Sequence, residues 1–166
     1  MARVHTLLLL RHAQASDSAV GVRDSDRSLT DYGIDQAVEV GNAIRGRGLS
    51  IDLVLCSSAI RTRQTWSALG LDSKVEFSDE IYNAGSDTLF ELVGQLDEQV
   101  GTAMIIGHGP GIPRLAVDLS GAESDQRSLD VINSRFPTAT LVEIEVDVAW
   151  ADLQVGRLSW LRLGRH

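Results

Sequence analysis

Four consecutive leucines, Leu7–Leu10, end abruptly at Arg11 and His12. A strand that is apolar at successive positions, not alternate ones, must be covered on both faces. Val4–Leu10 is therefore expected as a central strand between two layers of helix. Three further strands fit the same plan: the apolar IDLVLCS (51–57) and TAMIIGHGPGI (102–112), the latter running into a glycine-rich turn, and the short SKVEFS (73–78). The intervening segments have helical character. TDYGIDQAVEVGNAIRGRG follows Thr30 as N-cap, carries Ile34, Ala37, Val38, Gly41 and Ile44 on one stripe, and ends at Gly46 or Gly48. SAIRTRQTWSALG is expected behind Ser57 or Ser58 as cap, and SDTLFELVGQLDEQV (86–100) behind Ser86 or Asp87. PRLAVDLSG places Pro113 in a first helical turn. The last third, TATLVEIEVDVAWADLQVGRLSWLRL, alternates like two antiparallel strands near a sheet edge, joined around residues 150–156. This order specifies an α/β class: a three-layer α/β/α sandwich with a mostly parallel central sheet, in one domain over 1–166.

Charge narrows the partners. Fifteen Lys and Arg stand against 23 Asp and Glu, for a net charge of −8. Such a surface repels nucleic acid and anionic membrane, so neither is an expected partner. A phosphorylated molecule would need a local positive pocket. The one cysteine, Cys56, excludes an internal disulfide and a thiolate cluster, and its place in an apolar strand reads as a buried small side chain. The leucine run is far shorter than the ~20 residues of a membrane span, and no cleavage site follows it. A cytoplasmic location is the default expectation. No carboxylate stands at useful spacing from the histidines, so neither metal nor cofactor is expected.

Ligands of open α/β folds sit beyond the carboxyl ends of the strands. Arg11, His12, Ser57 and His108 all fall there, whereas His5 and the terminal His166 read as structural or solvated. His108 lies in GHGPG, where Gly107, Gly109 and Gly111 permit close backbone approach and the amides could receive an anion. Arg61 lies on a first helical turn, where a cation is electrostatically misplaced unless an anion joins it. Arg63 breaks the same preference about 200° around the helix, so the two would not share a target, and helix geometry alone does not choose between them. Gln14, Ser16 and Ser57 are candidate phosphate contacts, Ser57 being equally a helix cap. Trp66, Trp150 and Trp160 read as core, and the acidic run VEIEVDVAWAD as the wet face of alternating strands.

LLRHAQAS, SLTDYGIDQA, CSSAIRTRQT and IIGHGPGI, in that order, resemble the histidine phosphatase superfamily, whose fold is phosphoglycerate mutase-like. The small size, without room for a lid insertion, looks most like the SixA-type phosphohistidine phosphatases. The resemblance implies that His12 is the phosphoryl acceptor and that Arg11, Arg61 and His108 form its phosphate pocket; Gly109, in the glycine-rich turn, is a further candidate substrate contact. Two positions depart from the pattern: Ala13 replaces the glycine after Arg-His, and Ser58 the proline after Ser57. The acidic proton donor of larger members has no secure counterpart, and Glu80 is the nearest candidate by chain position.

On this reading His12 attacks as a neutral imidazole, its pKa held below ~6.5 by the arginines, while His108 is charged as it donates to the phosphoryl group. Water then hydrolyses the phosphoenzyme. A chain without an enzyme acid suits a phosphorus–nitrogen bond, whose leaving nitrogen takes a proton from solvent. The expected partner is thus a phosphorylated protein carrying phosphohistidine, at a shallow open site that residues 17–27 could cover. The alternatives are a small-molecule phosphomonoesterase acting on a small phosphate ester and a non-catalytic phosphate-binding adaptor. A Ser/His hydrolase fits less well, since no G-x-S-x-G elbow is present.

Overall fold

The leucine run becomes β1 (His5–Arg11). In the computed structural model, which describes residues 4–165, Leu7, Leu8, Leu9 and Leu10 are all fully buried. Leu7 and Leu9 join one core with Ile105, Leu115 and Trp150; Leu8 and Leu10 join a second with Val40, Ile44 and Met104. Each fully buried leucine contributes about 1.5–3 kcal/mol, so this short strand anchors both cores. His5 is buried as expected of a structural histidine, stacked on Trp150 and bonded to Glu98. His166 lies outside the described residues.

β2 (Leu53–Ser57), β3 (Lys74–Ser78) and β4 (Thr102–Gly107) form the parallel part of the sheet with β1, and β5 (Leu141–Val146) and β6 (Arg157–Arg162) complete it antiparallel. The strand order is β3-β2-β4-β1-β5-β6. Helices α1 (Asp31–Gly46) and α2 (Ile60–Leu69) cover one face. The opposite face carries α4 (Ser86–Gly94), α5 (Gly111–Leu119) and α6 (Gln126–Ser134), with the short α3 (Asp79–Tyr82) following β3. The result is the expected three-layer α/β/α sandwich. Among the described residues, no helix is long and apolar enough to cross a membrane.

Several local expectations need correction. Thr30 caps α1 as anticipated, its hydroxyl accepting the Gly33 N–H at 3.0 Å, but the buried stripe is Gly33, Gln36, Ala37, Val40, Gly41 and Ile44. Ile34 and Val38 are exposed. Backbone contact, not side-chain hydrophobicity, chooses this face. A Cβ at Gly33 would lie 2.0 Å from the Gln14 carbonyl oxygen, and one at Gly41 2.0 Å from that of Leu69. Neither Ser57 nor Ser58 is the N-cap of α2; Ala59 is, because Ser57 is still in β2. Helix α4 starts after Gly85 and stops at Gly94, not near residue 100, because Asp97 folds the chain back by accepting the Gln99 N–H at 2.8 Å. The α3 and α6 helices were not anticipated. Nor is β5 wet on one face: Glu143 is buried, bonded to Arg47 at 3.1 Å and Ser159 at 2.7 Å. Of the tryptophans, Trp150 is fully buried, while Trp66 and Trp160 pack at the margin of the second core.

Candidate active site

Parallel pairing of β1 with β4 sets Arg11 opposite Gly107, and the His12 N–H extends the ladder to the Gly107 carbonyl at 3.0 Å. His12 and His108 therefore leave the sheet side by side. Their ring centroids are 5.3 Å apart with planes inclined by 57°. The guanidinium of Arg11 lies alongside, 3.6 Å from where a Cβ on Gly109 would stand, and its Nη1 donates to the Phe136 carbonyl at 2.7 Å. Arg61 enters from the first turn of α2. It connects to the imidazoles through Tyr82, which lies 5.8 Å from the Arg61 guanidinium and 5.6 Å from the His108 ring. Arg63 turns away, over Phe77 at 4.1 Å, as its position on the helix requires. Among the described residues five buried side-chain nitrogens have no hydrogen-bond partner, and Arg11 Nε, Arg61 Nε and His108 Nδ1 are three of them. An unpaired buried donor costs about 1–3 kcal/mol, a cost that a bound anion offsets.

The two imidazoles are held neutral. His12, 7% exposed, has its pKa lowered to about 4, chiefly by burial, with the charges of Arg61, Arg11 and Arg27 adding to the effect. Its bond to the Ala13 carbonyl, at 2.6 Å, works the other way. A carbonyl oxygen only accepts, so Nδ1 carries the proton and Nε2 the lone pair. His108 falls to about 3, again chiefly through burial, followed by His12 and Arg61. In the resting pocket desolvation and the neighbouring cations disfavour imidazolium at His108, so the charge expected of it during donation must come with the substrate. Asp24 acts against this shift.

Asp24, Arg27 and Tyr82 were not foreseen as part of the site. The Asp24 carbonyl accepts from Arg61 Nη1 at 2.7 Å and its carboxylate from Arg61 Nη2 at 3.1 Å. Arg27 Nε donates to the same carboxylate at 3.0 Å, and the Tyr82 hydroxyl donates to it as well. The Tyr82 bond, then the arginines, hold the Asp24 carboxyl down to about 2. Asp24 and Arg27 thus tie the end of the 17–27 segment to Arg61 and Tyr82 beside the pocket, while Val20 and Val22 earlier in the segment are exposed. Beside Tyr82 a groove of about 530 Å³ is lined by Ser25, Asp26, Ser58, Arg63 and Asp79.

The remaining candidates are dispersed. Ser57 belongs to the cluster: its buried Oγ lies 2.8 Å from His108 Nε2 and accepts the Ala59 N–H at 3.3 Å. The Gln14 side chain accepts from the Thr30 hydroxyl at 2.8 Å and so serves the start of α1. Ser16 is engaged through its backbone, with Ser28 at 2.8 Å and Arg27 at 2.8 Å. Glu80 is exposed on α3, about 200° around the helix from the Tyr82 face that meets His108. Only Tyr82 carried a signal that a reader of the sequence could have used, an aromatic two residues after the sought acid. Cys56 is inert, its pKa raised to about 12 chiefly by burial.

Comparison with known proteins identifies relatives of the chain. The model of the histidine phosphatase superfamily (branch 1) matches residues 7–82, a span that holds Arg11, His12 and Arg61 and stops short of His108. An uncharacterised Mycobacterium tuberculosis protein is 32% identical over 148 residues, 89% of this chain and 93% of its own. The phosphohistidine phosphatase SixA of Escherichia coli is 29% identical over 147 residues, 85% of each chain. A solved structure from Nakamurella multipartitia, proposed to be the phosphohistidine phosphatase SixA, superimposes with a TM-score of 0.88 at 32% identity, covering 99% of both chains.

Proposed function

The chain belongs to the histidine phosphatase superfamily, and we propose that it hydrolyses protein phosphohistidine through a covalent phosphoryl intermediate on His12. The observation that carries this reading is the state of His12. It is buried and uncharged, with Nδ1 tied to Ala13, so that Nε2 is available for attack. In the first step Nε2 bonds to phosphorus as the substrate's phosphorus–nitrogen bond breaks, and the departing imidazole takes a proton from solvent. In the second, water attacks phosphorus, the bond to Nε2 breaks, and inorganic phosphate leaves. Arg11 and Arg61 supply donors to the equatorial oxygens, where charge spreads in the transition state. His108 becomes a donor once the bound dianion draws a proton onto it.

The mouth of the pocket supports a nitrogen leaving group. Asp24 is ionised down to about pH 2 and cannot serve as an acid near neutrality. The Tyr82 proton is committed to Asp24, and its pKa is raised, chiefly by that bond. An alkoxide would depart without assistance, whereas an imidazole protonated from solvent leaves as the neutral ring and needs no acid from the enzyme. The loop tied to Arg61 favours a second reading, a phosphatase of small esters held beside it. Acid-labile phosphate trapped on the wild type and absent from His12→Ala tests the intermediate. Turnover of a phosphohistidine protein against sugar phosphates tests the substrate: a clear preference for a sugar phosphate would replace the first reading by the second.

A further inference from the structure

The segment SLTDYGIDQA lies between the pocket motifs in the chain, and its side chains hydrogen-bond to groups other than the imidazoles and the phosphate-holding arginines. Its Gln36 is 4% exposed on the inner face of α1. Gln36 Oε1 accepts the Gln14 N–H at 2.8 Å, while Nε2 donates to the Arg165 carbonyl at 2.6 Å. The Gln14 N–H shares a rigid peptide plane with the Ala13 carbonyl, the group that receives His12 Nδ1–H. To hold one edge of that plane is to aim the other. The preceding peptide is held as well. Thr65, fully buried on α2, accepts the Ala13 N–H at 3.1 Å and donates to the Arg61 carbonyl at 2.7 Å.

We propose that Gln36 and Thr65 are positioning residues for His12: by gripping the two peptides of Ala13 from α1 and α2, they aim its carbonyl at Nδ1 and so keep Nε2 as the attacking nitrogen. The proposal rests on the reading of His12 as nucleophile. A carbonyl whose own N–H is already donating is polarised and accepts more strongly, so Gln36 strengthens the bond as well as directing it. Through Thr65 the orientation of the nucleophile is tied to the helical turn that carries Arg61. The far nitrogen of an imidazole being fixed so that the near one can act is the same logic as in the serine-protease triad, here with a peptide in place of the carboxylate. The shift that the Ala13 bond imposes on His12, opposing burial, agrees with a strong contact.

The test uses the full chain without substrate. Long-range proton–nitrogen correlation spectra near neutral pH report which nitrogen of His12 is protonated. Wild type should show Nδ1–H alone, and Gln36→Met and Thr65→Val a mixture, with Thr65→Ser restoring the wild-type pattern. The rate of phosphoenzyme formation from phosphoramidate, per trapped site, should fall at least about tenfold in Gln36→Met and Thr65→Val with KM within about twofold, and Thr65→Ser should stay within about threefold of wild type. An Nε2–H tautomer in the wild type overturns the proposal even if neither variant folds. So does an unchanged tautomer and rate in either folded variant. Because the spectra need no substrate, failure to hydrolyse phosphohistidine would refute the proposed function and leave this result standing.

Discussion

Replacing His12 by Asn should change how the fold responds to acid, by an amount that follows from the burial of this one imidazole. The folded-state pKa is about 4 against an ordinary 6.5. Between those values the unfolded chain binds a proton that the native protein refuses, so protons favour unfolding. The sign is fixed by that inequality. The penalty is absent well above 6.5, grows as pH falls through the window, and is complete below about 4. Integrated from about pH 7.5 to about pH 5, it is about 2 kcal/mol for His12 alone. His108 titrates in both proteins and cancels to first order in their difference. Asn is chosen because its amide N–H can still reach the Ala13 carbonyl while carrying no titratable group. Urea unfolding of wild type and His12→Asn at the two pH values is the assay. Wild type should lose about 2 kcal/mol more than the variant on going to the acid condition. Equal losses would show that His12 titrates alike in folded and unfolded chains, and the account of a desolvated, neutral nucleophile would fail.

The same shift places the acid limb of kcat/KM near pH 4; a limb near 6.5 after correction for substrate ionisation would contradict it. Asp24→Asn removes a half-exposed carboxylate from Arg61, and inorganic phosphate should inhibit the variant about two- to fivefold more tightly, read as Ki, with a weakening ruling out competition for that guanidinium. Glu80→Gln should leave phosphoramidate turnover within about twofold of wild type. A loss of about a hundredfold would restore Glu80 as the proton donor. Gly41→Ala, far from the pocket, should lower unfolding stability by about 1–3 kcal/mol or more, because its methyl meets the Leu69 carbonyl; an unchanged melting curve would show that α1 and α2 part easily.

The central strand could be read from local signals, and so could the places of Arg11, His12 and His108 at strand ends, whereas Arg61, on α2, was singled out only by the family resemblance. Four consecutive leucines cut off at Arg11 fit a doubly covered strand, and residues just past parallel strands fall along one edge of the sheet. The stripe of α1 failed on Ile34 and Val38 because glycine contact with a neighbouring backbone leaves no hydrophobic trace in the sequence. Asp24 and Arg27 were hidden in a polar loop, where composition says nothing about which carboxylate meets which arginine. The neutral resting state of His108 had no trace in the sequence for a related reason: burial of a loop residue, which here outweighs a favourable carboxylate neighbour, is a tertiary property. Gln36 and Thr65 lay inside quoted motifs, but their partners are backbone groups of Gln14, Ala13 and Arg61, to which periodicity is blind.

Neighbouring strands stand about 4.8 Å apart whatever their sequence. The two imidazoles, each one residue beyond a paired position, inherit that gauge with centroids 5.3 Å apart. The clearance offered to a phosphorus centre is thus set by backbone ladders, and core substitutions have little purchase on it. Diversification among chains with this sheet must then proceed at the rim, in residues 17–27 and 79–83, where no ladder dictates spacing and a new leaving group can be accommodated without disturbing the chemistry beneath.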